Sequence, residues 1–198
     1  MIALIDYGAG NLTSVKKALA AVGADVRVPQ QPDDLADARG IIVPGVGHFG
    51  ATRRLAGAWT DAILARVGEG RPLLGICLGM QWLFESSDEA PDVPGLGLLA
   101  GRCYRLEAGT VKIPHVGWND LHIEQPAPIL DGIASESQVY FTHSYVAPTS
   151  GDTAATTTHG APFAAAAQRG YIAGVQFHPE KSGDVGLRIL RNFVAMVG

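Results

Sequence analysis

"PLLGICLGMQ", Pro72–Gln81, runs a short apolar segment into a cysteine flanked at two residues' distance by glycines. An apolar run bounded by a turn reads as a buried strand, and Gly75, Cys77 and Gly79 reproduce the G-x-nucleophile-x-G pattern of a strand-to-helix elbow, with sulfur in place of the hydroxyl. The chemistry explains the glycines. A turn this sharp crowds both flanks, so only hydrogen fits there, and the middle side chain is lifted above the sheet. Cys77 then stands at a helix N-terminus, whose partial positive charge favours thiolate over thiol. A cysteine without such a setting is usually a small hydrophobe, so the rest of the chain must supply a nucleophile's partners.

Outward from the elbow, "IALID" reads as a buried strand closed by the glycine turn "YGAGN". Leu12, Val15, Leu19 and Val22 then recur at helical spacing up to Gly23. "ADVRV" and "GIIVPG" are further strands, "ATRRLAGAWTDAILARVGEG" is a helix, and "PLLGI" is the strand that carries the elbow. This alternation predicts a parallel sheet covered by helices. Beyond Gly95 the segments "GRCYRL", "KIPHVGWNDLHI", "SQVYFTHSYVA", "TAATTT", "FAAAAQRG" and "YIAGVQF" read as successive strands, which adds antiparallel pairing. Val185, Ile189, Phe193 and Met196 share one face of a closing helix. The expected fold is a single α/β domain over residues 1–198, a mostly parallel central sheet flanked by helices with added antiparallel strands.

With 198 residues, 47% hydrophobic and 17% charged, the chain can bury one sizeable core. A net charge of -4 without any cluster of Lys or Arg gives no electrostatic footprint for nucleic acid. The N-terminus lacks a basic segment followed by a long apolar one, and no run approaches the roughly 20 apolar residues of a membrane span, so a cytoplasmic protein is expected. In that reducing setting Cys77 and Cys103 need no disulfide. Cys103, in "GRCYRL", has no elbow, base or acid beside it and reads as a packed strand residue.

"GVGHFG", Gly45–Gly50, matches the G-x-G-x-x-G of dinucleotide sites, but the acidic residue expected at the end of the following strand is replaced by Cys77. Its glycines instead allow backbone N–H groups close to a ligand. The Leu78 N–H would point where the sulfur points, ready for an oxyanion, and the "PGVG" loop, at Val46 and Gly47, is the natural source of a second donor. "DYGAGN" is another glycine turn at the carboxyl end of a strand, which puts Gly8, Gly10 and Asn11 on the functional edge of an open α/β sheet.

A thiolate nucleophile needs a base, and of the six histidines only His178, in "GVQFHPEKS", carries its own orienter. In an extended segment residues i and i+2 share a face, so Glu180 can hold one imidazole nitrogen while the other faces Cys77. Pro179 stiffens the pair. A zinc site would need a well-spaced third ligand, which the sequence does not offer, and no metal or other cofactor is expected.

With Cys77, His178 and Glu180 assembled, the sequence resembles the triad-type, class I glutamine amidotransferases. The segments "DYGAGN", "PGVGHFG", "GICLGMQ", "KIPHVGWN", "YFTHSY" and "GVQFHPEKS", spanning residues 6–182, are similar to the glutaminase subunits of imidazole glycerol phosphate synthases. His48 departs from that pattern, where alanine is common. The resemblance implies a class I glutamine amidotransferase-like fold with a nucleophile elbow. It also implies release of ammonia from glutamine, with Gly45, Gln81, His143, Ser144 and Tyr145 on the substrate side of the pocket. The partner it implies is a cyclase subunit of (β/α)₈ barrel type, forming a heterodimer that makes imidazole glycerol phosphate in histidine biosynthesis. Competing readings are a glutaminase for pyridoxal phosphate or purine synthesis, a γ-glutamyl hydrolase, or a nucleotide-binding module built on "GVGHFG".

Overall fold

The computed structural model describes residues 1–107, 109 and 111–198. Strands β1 (Ile2–Leu4), β2 (Val26–Arg27), β3 (Gly40–Val43) and β4 (Leu73–Ile76) alternate with helices α1 (Leu12–Ala21) and α2 (Ala58–Gly68), and Cys77 leads directly into α3 (Leu78–Leu83). The chain continues through β5 (Ser86–Ser87), β6 (Arg102–Arg105), β7 (His115–Asp120), β8 (His122–Ile123), β9 (Gln138–His143) and β10 (Tyr145–Val146). It ends with β11 (Thr153–His159), β12 (Ala161–Arg169), β13 (Ile172–Val175) and α4 (Gly183–Val197).

The main sheet runs in the order β2-β1-β3-β4-β13-β12-β11-β8. From β2 to β13 every pair is parallel, and from β13 to β8 every pair is antiparallel. Alternation along the parallel strands divides the core. Ile2, Leu4, Ile42, Leu74 and Ile76 face one side with Val15 and Leu19 of α1 and Ile189 and Phe193 of α4. Ala3, Ile41, Val43 and Leu73 face the other with Ile63 of α2 and Met80 of α3. Strand period and helix period thus agree on the same two layers. A smaller sheet, β10-β6-β5, and the antiparallel pair β7-β9 lie beside the main one. Among the described residues no helix is long and apolar enough to cross a membrane.

The structure subdivides three of the expected elements: "KIPHVGWNDLHI" divides at Leu121 into β7, which pairs with β9, and β8, which pairs with β11. The expected helix from Ala51 onward is instead a 3₁₀ turn, Phe49–Leu55, followed by α2. Ala56 is extended and Gly57 takes φ 72°, so the backbone leaves the helical region between the two pieces. "SQVYFTHSYVA" divides at Ser144: β9 pairs with β7, and β10 turns away to pair with β6. At the N-terminus the reading holds closely, with the Asn11 side chain accepting from the Ser14 amide and Gly23 at φ 76° closing the helix.

The elbow glycines are fixed by close approach. A Cβ on Gly79 would lie 1.8 Å from the Val43 carbonyl oxygen, and one on Gly75 would lie 2.5 Å from the Gly79 carbonyl oxygen. Gly68, by contrast, has open space around it. Gly79→Ala is therefore expected to lower the unfolding free energy by about 3 kcal/mol, as overpacking a backbone contact does. Gly68→Ala should leave it unchanged or raise it by up to about 1 kcal/mol. Urea denaturation checks both, and equal midpoints for wild type and Gly79→Ala would contradict the contact.

Candidate active site

Parallel strands end at a common edge, and in open α/β sheets that edge is where ligands bind. Here it collects Asp6–Asn11 after β1, Pro44–Gly47 after β3, Cys77 after β4 and Gln176–His178 after β13. Cys77 sits at φ 54°, ψ -107°, and among the described residues only Glu136 shares a positive φ without being glycine. The strain is held by its surroundings: the Cys77 amide donates to the Val175 carbonyl at 2.8 Å, and the glycines let α3 begin against β3. Cys77 is 4% exposed, at the floor of a pocket.

His178 reaches the same point from β13. Its Nδ1 meets Glu180 Oε1 at 2.8 Å, with both side chains 2% exposed. The expected extended i, i+2 geometry is replaced by a turn: His178 is extended, but Pro179–Lys181 is a 3₁₀ helix that brings Glu180 back onto the ring. Proline at the first helical position, where no N–H is needed, accounts for the change. Ser182 Oγ donates to the His178 carbonyl at 2.6 Å, and the His178 amide donates to the Tyr140 carbonyl at 2.9 Å, which fixes the main chain. The ring's Nε2 is buried without a hydrogen-bond partner among the described residues, the Cys77 sulfur included. Burial alone disfavours the imidazolium and is the largest single influence, but Cys77 and then Glu180 outweigh it and push the His178 pKa up to about 10.

The pocket encloses about 250 Å³ and is lined by Cys77, Leu78, Gly47, Gln81, His143, Ser144 and Tyr145, together with Glu89, Pro114 and Thr142. Of the residues expected on the substrate side, Gly45 alone is not in this wall; it lies beneath, against Tyr7 and Leu78. Gln81 Nε2 donates to the Tyr145 carbonyl at 2.8 Å and to Gln176 Oε1 at 3.1 Å, so its amide braces the far wall. Gln176 Nε2 in turn approaches the Cys77 sulfur at 3.5 Å. Neither Glu89 nor Gln176 is singled out by the sequence reading. For Gln176 the signal was present, since it shares a strand face with His178. Glu89 comes from a loop after β5, and no local pattern marks it.

The two amides expected to serve an oxyanion are both occupied. The Leu78 amide donates to the Gly45 carbonyl at 3.3 Å, and the Val46 amide donates to the Ala9 carbonyl at 3.1 Å. Gly47 takes φ 96° beside them. His48 is exposed, and its Nδ1 accepts from the Gly50 amide at 2.9 Å, so it caps the following 3₁₀ turn.

His143 and His115 form a neutral chain behind the pocket. Burial first, and then each other or His159, lower His143 to about 3 and His115 to about 4. With both rings neutral, His143 Nδ1–H donates to the Tyr145 carbonyl at 3.1 Å, and His115 Nδ1–H donates to His143 Nε2 at 3.2 Å. Asn119 Nδ2 closes the chain on His115 Nε2. Cys103 is fully buried in β6, where burial raises its thiol pKa and its sulfur faces the Gln81 carbonyl. Among the described residues no group of three or more His, Cys, Asp or Glu is placed to hold a metal ion. A larger hollow of about 650 Å³, between residues 123–133 and α4, contains none of the groups named here.

Residues 3–197 match the family described as "Glutamine amidotransferase class-I", and the chain belongs to that family. It is 51% identical to "Imidazole glycerol phosphate synthase subunit HisH" of Gloeobacter violaceus, over 98% of this chain and 88% of that protein. It is 44% identical to the protein of the same name from Methanothermobacter thermautotrophicus, over 100% of this chain and 99% of that one. Among solved structures, a "Crystal structure of glutamine amidotransferase" superposes with a TM-score of 0.79 at 23% identity, covering 100% of each chain. "PurLQS from Thermotoga maritima" also gives 0.79, at 19% identity over 100% of this chain and 98% of that one. These last two likenesses concern the fold.

The ring titration of His178 tests the electrostatics. In wild type, NMR should find it protonated well past neutral pH, with a midpoint near 10, far above the ordinary 6.5. Cys77→Ala removes the first group that raises it while burial still lowers it, so the midpoint must fall. A midpoint that stays near 10 in Cys77→Ala would show that the sulfur does not act on the ring.

Proposed function

We propose that this chain hydrolyses glutamine to glutamate and ammonia through a Cys77 thioester, and delivers the ammonia to a cyclase partner making imidazole glycerol phosphate. The observation that carries the reading is Cys77 on a strained elbow at the same sheet edge that His178 reaches from β13, with the imidazole's Nδ1 held by a buried carboxylate. The Cys77 thiolate attacks the side-chain carboxamide carbon, and His178 gives its proton to the leaving nitrogen as the C–N bond breaks. Water then attacks the thioester with His178 as base, and glutamate leaves. Glu180 orients the ring and supports its positive charge. Glu89 is the acidic residue lining the pocket with Ser144 and Tyr145; its Oε2 accepts from the Phe49 amide at 2.6 Å, which leaves the other oxygen for the substrate's α-ammonium.

Charge developing on the carboxamide oxygen needs donors, and the two nearest are engaged with carbonyls. Freeing them requires the Gly45–Val46 peptide to turn so that its N–H faces the sulfur. Both bonds that hold it, at 3.1 and 3.3 Å, are longer than the usual 2.9–3.0 Å. A docked partner that binds the turned loop more tightly than the resting one reverses the arrangement.

A partner is also required chemically, because ammonia released into water is protonated and loses its nucleophilicity. Beside the His178 segment, β7 presents Val116 and Trp118 at 57% and 53% exposure, with Trp118 edge-on to Tyr140 and Lys181 Nζ 5.5 Å above the Tyr140 ring. Exposed aromatic surface next to the catalytic edge is what a docking face needs.

Glutamate release should be slow for the isolated chain and rise about 10²–10³-fold in kcat with the cyclase and its phosphoribulosyl aminoimidazole carboxamide ligand, the range associated with an oxyanion donor. Cys77→Ala should abolish turnover without unfolding the chain, and Glu180→Gln should lower kcat more than it raises KM. Retained turnover in Cys77→Ala, or full activity without a partner, would contradict the mechanism.

A further inference from the structure

A buried carboxamide touches the sulfur and takes no part in the steps described so far. Gln176 follows β13, is fully buried, and its main-chain N–H is already engaged by the Ala165 carbonyl at 2.8 Å. Its side chain ends a run of hydrogen bonds across the site. Gln81 Nε2 donates to the Tyr145 carbonyl at 2.8 Å and to Gln176 Oε1 at 3.1 Å, and Gln176 Nε2 donates to the Cys77 sulfur at 3.5 Å.

The direction of that run is fixed at its far end. A backbone carbonyl only accepts, so the Gln81 atom beside Tyr145 is the NH2 nitrogen, and its second proton is the one offered to Gln176. Gln176 must answer with its oxygen. Its own NH2 group is therefore the end that faces the sulfur, and a carboxamide buried with that end unsatisfied would be costly. The titratable groups around the sulfur are His178, whose pKa is raised to about 10, Tyr7, whose pKa burial and Cys77 raise, and, lining the same pocket, neutral His143 and Glu89. His178 brings positive charge, but its proton departs with the ammonia. Gln176 keeps its protons throughout, and a thiolate accepts from such a donor far better than a thiol does.

We propose that Gln176 is a further catalytic residue: its side-chain N–H holds the negative sulfur of Cys77 before attack, and again when the thioester breaks. In that second step the oxygen of water bonds to the acyl carbon, one of its protons passes to His178, and the C–S bond breaks with its electron pair left on sulfur. His178 has no proton to share until water supplies one. The carboxamide is in place from the start, aimed by Gln81 and through it by the Tyr145 carbonyl.

The proposal rests on the glutaminase reading, but its first test needs no turnover. Alkylation of Cys77 by iodoacetamide, followed across pH by peptide mapping of the isolated chain, reports the thiolate. Gln176→Met keeps the length of the side chain and loses the donor, so its profile should lie about one pH unit above that of wild type, the scale of a hydrogen bond to a charged group. An unmoved profile, or one displaced to lower pH, would overturn the proposal. Should that variant fail to fold, NMR of wild type decides. One Gln176 side-chain amide proton should lie downfield of its position in Cys77→Ala, and identical signals in the two proteins would overturn the contact with sulfur. With the proposed cyclase partner and its ligand, Gln176→Met should lower kcat about five- to tenfold, and a kcat equal to that of wild type would remove the catalytic role. Wild type that releases no glutamate under those conditions refutes the glutaminase reading instead, and the alkylation profile still decides whether the carboxamide serves the sulfur.

Discussion

The contact on which the site depends is that of Gly79 with the Val43 carbonyl. Because a hydrogen stands where a Cβ would lie 1.8 Å from that oxygen, α3 starts directly against β3, and the chain between β4 and α3 must reverse within a single residue. Cys77 is that residue, and its positive φ is the consequence. The same geometry places the Leu78 amide at the edge, next to the Pro44–Gly47 loop. A larger residue at Gly79 would push α3 outward and separate the sulfur, the amide and the loop together.

Parallel pairing does the rest of the assembly. Val175 opposite Ile76 puts Gln176 level with Cys77 and His178 just beyond, so Cys77 and His178 reach one edge from segments about a hundred positions apart without any special loop. Within this frame the electrostatics oppose one another. Burial disfavours a charged ring, while the sulfur and the Glu180 carboxylate favour it, and the second influence wins. The opposition matters for function, since a buried imidazolium is stable only while its partners stay in place. The Leu78 and Val46 amides, proposed as oxyanion donors, behave differently. They are turned toward backbone carbonyls, so in the resting structure neither amide is free to meet a ligand.

The elbow, the His-Pro-Glu segment and the parallel half of the sheet were legible because each is written in consecutive residues: glycines two apart around a cysteine, alternating apolar strands, a proline between base and acid. What escaped the reading depends on distant contacts. Gly57 interrupts the expected helix, yet an isolated glycine is tolerated in many helices and only packing decides. Ser144 ends β9 because β7 and β6 claim the two halves of one apolar segment, and neither strand is its neighbour in sequence. Glu89 enters the pocket from a loop, and Tyr7 reads as an aromatic at a turn until Gly45 is seen against it. The i, i+2 argument for His178 and Glu180 reached the right pair by the wrong conformation, since the turn after Pro179 does what an extended strand was expected to do.

The identity of the attacking atom is settled most directly by labelling. A glutamine analogue with an electrophilic chloromethyl ketone in place of the carboxamide, applied to the chain alone and with the proposed cyclase partner and followed by peptide mapping, should place one label per chain on the peptide containing Cys77 and none on the one containing Cys103. A label on Cys103 or elsewhere, with Cys77 left unmodified, would contradict the account.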